Sequence, residues 1–310
     1  MKFFLVLMLA ILVAIGGAVA PAVAQEYDKV FEELQTNNYW GTDENWTPSG
    51  EPEATDSVLI PATESCLIHN AGNDAVAELV DVDGTGTLKI EEDRKLTFTE
   101  NSTIAGGACL YLFGTLTING DLTVAGAASG NGGLLRLHRH SDPNPQWSSR
   151  VDGTGEITVS SGNEPGIVQG SGDIDTEIHN SGKVQAGGGF VNVNTYLRLN
   201  EAVDGSGQWW STWGINLGFR GGVSGSGEWR TPEKNSPGAN GANTLLIDDV
   251  ESCVSGDIYL PYGNILVWED FCTTGDLHIG SDHTVCLPQI DVKPGKVARF
   301  GVGEDNCQCP

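Results

Sequence analysis

Gly84-Thr85-Gly86-Thr87-Leu88-Lys89-Ile90 decides how this chain is read. A glycine corner is followed by a short run that alternates apolar and polar residues. Glycine permits positive φ at a tight corner. Alternation with period two puts Leu88 and Ile90 on one face and Lys89 on the other. The same unit, Gly-(Ser/Thr)-Gly-x-apolar, begins again at Gly153, Gly170, Gly205 and Gly225. A looser form, Ser/Thr-Gly-x-apolar, recurs at Ser181, Ser255 and Thr274. Leu116-Thr117-Ile118 and Leu122-Thr123-Val124 are further strands of the type. Gly153 to Gly170 is 17 residues and Gly205 to Gly225 is 20, so the expected period is near 17–20 residues.

A single unit of this length cannot bury its own apolar face, so successive units must stack. The expected fold is therefore all-β, a parallel β-helix or β-solenoid. About 245 residues at ~20 per rung predict roughly a dozen rungs and a rod ~60 Å long. A β-sandwich or jelly roll is the alternative, because it also needs many short strands with regular turns. Near-identical turn chemistry at a fixed period favours the solenoid.

Trp40, Asn45-Trp46, Pro52 and Asp56-x-Val58-x-Ile60-Pro61 precede the Gly-x-Leu-x-Ile repeats. Together they resemble the start of secreted bacterial β-helix proteins, among them autotransporter-passenger-like and adhesin-like chains. The resemblance implies a right-handed parallel β-helix from about Tyr39 to the late 270s. It implies no reaction, since this architecture hosts both enzymes and inert adhesins.

Lys2, the apolar run Phe3 to Ala20 and Ala22-Val23-Ala24 before Gln25 have the layout of a cleaved signal peptide, residues 1–24. The alternative is a retained anchor, because the run is long enough to span. Export would make the protein secreted, extracellular or on the cell surface. Residues 25–60 are expected to form an N-terminal cap with its leading strand, its aromatics plugging the open core. Residues 61–280 would be the solenoid and 281–310 a Cys-containing C-terminal cap. Five of the seven cysteines follow residue 250, and an oxidising compartment permits disulfides. Cys253 and Cys272 lie 19 residues apart. One rung would bring their Cα atoms to ~5 Å, within bridging range.

The formal charge is −25, from 41 acidic and 16 basic residues. Such a surface repels phosphate backbones and anionic headgroups, so neither nucleic acid nor membrane insertion after cleavage is expected. No cofactor is expected beyond Ca2+ or another divalent cation at acidic turns. Asp81-Val82-Asp83-Gly84 is not an EF-hand loop, because aligning its glycine puts Leu79 and Ile90 at ligand positions.

Glycoside hydrolysis needs two carboxylates across a cleft. The adjacent pair Asp248-Asp249 reads as a solvated turn. The strand Leu134 to His140 concentrates basic residues. His138, His140 and Asp142 share its parity and form a candidate metal site, weighed against a solvated outer face. Trp209 and Trp229 hold the same place in successive repeats and are expected to stack in the core. Trp210, at opposite parity, is the exposed candidate. Trp210, Trp213 and Phe219 form the candidate ligand-binding platform, suited to sugar rings. The sequence thus points to a non-enzymatic extracellular solenoid serving as a surface, matrix or adhesion component. Its partners would be extracellular polysaccharide or surface proteins. The alternative is a polysaccharide lyase or glycoside hydrolase on the same scaffold.

Overall fold

The computed structural model describes residues 26–33, 37–69, 74–138, 149–187, 195–212, 215–231, 244–247, 252–260, 264–267, 270–279, 289–295 and 297–299. The expected signal segment, residues 1–24, and its expected cleavage site lie outside them. The described residues form strands and one short 3-10 turn, Asp43–Asn45, with no α-helix among them.

The chain visits three walls in turn. Ser57–Ile60 opens the first wall, Ser65–Ile68 the second and Ala75–Ala77 the third. The next turn repeats the order with Leu79–Val82, Thr87–Ile90 and Lys95–Phe98. Each strand pairs in parallel with the strand one turn later: Ser57 lies beside Leu79, Cys66 beside Leu88 and Ala75 beside Leu96. The second and third walls contain ten strands each; the first forms most of a nine-stranded sheet. A separate three-stranded sheet, Ser252–Val254, Phe271–Thr273 and Ala298–Arg299, takes the first position in the last turns. This is a parallel β-helix. A sandwich would need antiparallel strands, and Lys29–Phe31 with Trp46–Thr47 is the only antiparallel strand pair among the described residues.

The rungs are fewer and longer than the glycine spacing suggested. Ser57 to Leu79 is a step of 22 residues, and Thr115 pairs with Arg150, a step of 35. The reason is that the glycine unit marks different corners. Gly84, Gly205 and Gly225 turn the chain from the first wall to the second. Gly153 turns it from the third to the first, and Gly170 from the second to the third. The 17-residue interval from Gly153 to Gly170 is therefore not one rung, whereas Gly205 to Gly225 is. Parallel pairing also runs on into residues 281–310, where Gln289–Val292 and Ala298–Arg299 continue two ladders.

One corner explains why glycine recurs. A side chain on Gly227 would place its Cβ against the carbonyl oxygen of Gly207, and one on Gly256 would strike the carbonyl of Gly227. Corner backbones of successive rungs stack at the inter-strand spacing of ~4.8 Å, which leaves no room for a Cβ pointing along the axis.

Inside, alternation does what the sequence implied. Leu88 and Ile90, Leu96 and Phe98, and Leu116 and Ile118 are fully buried. Trp209 and Trp229 face inward on adjacent rungs, their rings stacked 5.5 Å apart at 14°. Phe219 closes on both at 5.6 and 5.0 Å. At the N-terminal end Phe31, Trp40 and Trp46 are buried edge to face, and Trp46 Nε1 donates to the Trp40 carbonyl at 2.7 Å. Cys253 and Cys272 are in register and joined by a disulfide, with Cα atoms 4.8 Å apart.

Candidate ligand-binding face

Buried residues alternate with outward ones on the second-wall strands from Ser65–Ile68 to Ile258–Leu260, and parallel register aligns the outward residues into columns. The central column begins Leu67, Lys89, Tyr111, Arg136 and Gln169. It continues Gln185, Trp210, Arg230, Tyr259 and His278. Every member after Leu67 is aromatic, cationic or an amide, and none is a carboxylate. In a chain with 41 acidic residues this column is chemically distinct.

Trp210 is the centre of the column. It is half-buried, with the Lys183 ammonium 3.6 Å above its ring and the Arg230 guanidinium 5.6 Å from it. Both contacts are cation–π geometry. Burial pushes the Lys183 ammonium down to about 8. Three rungs earlier, the ring of His138 lies flat on Phe113, 4.2 Å away at 6°. Lys89 sits 5.0 Å from the same Phe113 ring and 3.3 Å from Glu91. Burial first, then the charges of Arg136 and Lys89, hold His138 down to about 4. Tyr259 and His278 stack at 4.4 Å towards the C-terminal end, where Asp257 and Glu228 pair with His278 and Arg230.

The sequence candidates divide accordingly. Trp210 is on the outer face. Phe219 is not part of the platform: its strand, Ile215–Phe219, belongs to the third wall, and its ring is buried against Trp209 and Trp229. Its parity within the strand, not its nearness in sequence to Trp210, sets where it points. Trp213 lies outside the described residues, as do His140, Asp142 and Asp248-Asp249. His138 is described, but its ring is spent on Phe113 and stands beside two cations, a setting that opposes a metal ion. Asp81 accepts from the Tyr27 hydroxyl and the Thr103 amide, and Asp83 from the Gly84 amide.

A second cluster, on the first wall, was not anticipated. His179, on Ile178–Asn180, is clamped by two carboxylates: Nδ1 lies 2.7 Å from Asp204 and Nε2 2.8 Å from Glu156. These hydrogen bonds, Asp204 first, hold its pKa above the ordinary imidazole range despite partial burial. One ligand atom each from Glu156, Glu177 and His179 lie within 4.8 Å of one another, a set able to hold a divalent cation once His179 is neutral. Glu177, His179 and Asp204 also line a cleft of about 260 Å³. The arrangement does not suit glycoside hydrolysis, because the imidazole fills the space between Glu156 and Asp204 that a sugar bond and water would need. Glu177-x-His179, at the start of one strand, was the only sequence signal; its partners Glu156 and Asp204 lie on neighbouring rungs.

Residues 33–168 match the family model described as Domain of unknown function (DUF8693). The matched stretch runs from the aromatic plug to Val168, so it includes Tyr111 and Arg136 and stops short of Lys183 and Trp210. No curated protein and no solved structure matches the chain.

Proposed function

We propose that the chain is a non-enzymatic extracellular β-solenoid, a surface, matrix or adhesion component that binds glycan along its second wall. The observation that carries this reading is the outward column from Tyr111 to His278. Aromatic faces stack on the apolar faces of sugar rings, while amides and cations hydrogen-bond their hydroxyls. Spacing supports an extended ligand: one column residue every ~4.8 Å presents a line of contacts rather than a closed pocket. Two features speak against catalysis. The column has no carboxylate, and the carboxylates around His179 are bridged by its ring.

A glycan array, run alongside polysaccharide-degradation assays on the mature protein, tests this reading. Binding without cleavage is expected. Cleavage of any polysaccharide would replace it with the enzyme reading, and absence of binding to every glycan would remove the glycan face.

A further inference from the structure

We propose that the ligand of the second wall is an acidic polysaccharide, its carboxylates held by Arg136 and Lys183; this rests on the glycan-face reading above. Two cations on this wall stand out from the rest. Lys89 pairs with Glu91 and Arg230 with Glu228. Arg136 and Lys183, both half-buried, have no carboxylate partner among the described residues, although the chain holds 41 acidic residues for 16 basic ones. Arg136 Nε is enclosed without a hydrogen-bond partner, and the Lys183 ammonium lies against the face of Trp210.

A cation partly removed from water and left without a counter-charge is unfavourable unless something supplies the charge. Burial has already moved the Lys183 ammonium towards its neutral form, which is the mark of missing compensation. An anionic ligand completes both sites. The guanidinium fork of Arg136 fits a carboxylate bidentately, and the Lys183 ammonium serves as a point charge.

The register sets the geometry. Arg136 is on Leu134–Leu137 and Lys183 on Lys183–Ala186, two rungs apart through the strand Ile167–Gly170. That puts their backbones roughly 10 Å apart along the axis. Gln169 and Gln185 sit in the column between and beside them, as neutral donors and acceptors for hydroxyls. Trp210 follows one rung later as the stacking surface. A polymer bearing a carboxylate on each ring, lying parallel to the rod, meets cation, amide, amide and indole in order. Single-stranded nucleic acid is also a stacked polyanion, and the net charge of −25 opposes both polymers alike; Gln169 and Gln185 between the two cations favour the polysaccharide, because they match ring hydroxyls rather than further phosphates.

The test titrates the mature protein with polygalacturonate, with the same polymer after reduction of its carboxyl groups, and with a single-stranded oligodeoxynucleotide. The acidic polymer is expected to bind about 10-fold or more tighter than the reduced one, with the difference shrinking as salt rises. Arg136→Gln and Lys183→Gln should each weaken acidic-polymer binding about 5-fold or more, and by a larger factor than they change binding of the reduced polymer. Circular dichroism melts establish that both variants are folded; a variant that does not fold is replaced by Arg136→Met or Lys183→Met. Equal affinity for the two polymers, parental binding by the folded variants, or preference for the oligonucleotide would each overturn the proposal. Binding of neutral glycans alone overturns the acidic class while leaving the glycan face in place. Failure of every glycan removes both.

Discussion

Adjacent tryptophans in this chain do opposite things, and the difference is one residue of strand parity. Trp209 is fully buried between Trp229 and Phe219, while Trp210 faces out beneath Lys183. Trp209→Ala is expected to cost about 3–5 kcal/mol of stability, the range for emptying an aromatic site in a core. Trp210→Ala should keep the fold and lower glycan affinity ~10-fold, about 1.4 kcal/mol. Thermal melts and titrations on both variants check this; equal destabilisation would contradict the assignment of faces. Two histidines should diverge in the same way. His138, under burial and beside Arg136 and Lys89, stays neutral down to about pH 4. The unfolded chain takes up that proton near the ordinary value of about 6.5, so His138 removes stability as pH falls through this window. His179, faced by Asp204, Glu156 and Glu177, has a raised pKa. Its contribution is present below the ordinary imidazole value and is lost as pH rises through the raised one. Imidazole NMR titration separates the two, and ordinary midpoints for both would sink this reading. Parity was legible in the sequence for Trp209 and Trp210, but not for Phe219, because its distance in sequence from Trp210 does not reveal that a corner intervenes.

At the scale of the strand and its corner, the glycines and the disulfide make separate predictions. Gly227→Ala puts a methyl group against the Gly207 carbonyl, in a stack that cannot widen without breaking ladder hydrogen bonds. A loss of about 1–3 kcal/mol, the usual cost of overpacking, is expected in denaturant titration. An unchanged midpoint would show that this corner tolerates a side chain. Cys253 and Cys272 pair across one rung near the C-terminal end. Cys253→Ser with Cys272→Ser should leave the earlier rungs intact and speed proteolysis after residue 250, because a solenoid is held by nearest-neighbour contacts. This bridge was readable from a 19-residue spacing because that spacing equals one rung locally. Elsewhere rung length varies from turn to turn, so the same arithmetic misjudged the number of rungs. His179 stayed hidden for that reason: Glu156 and Asp204 come beside it only once the register of three successive rungs is known.

For the molecule as a whole, the fold was legible because each repeat states its own corner and its own alternation. The walls were not, since one glycine motif serves three different corners. Assigning strands to walls is what gathers Tyr111, Arg136, Gln185, Trp210 and Tyr259 into one line, although nearly 150 residues separate the first from the last. It also leaves Tyr196, on Thr195–Leu199 of the third wall, on a different side of the rod. The central claim is that ligand lies along the second wall. Oxidative footprinting of the protein, with and without a polysaccharide it binds, tests that claim most directly. Tyr111, Trp210 and Tyr259 should be protected together while Tyr196 oxidises as before; protection of Tyr196, with the second-wall residues unchanged, would contradict the account.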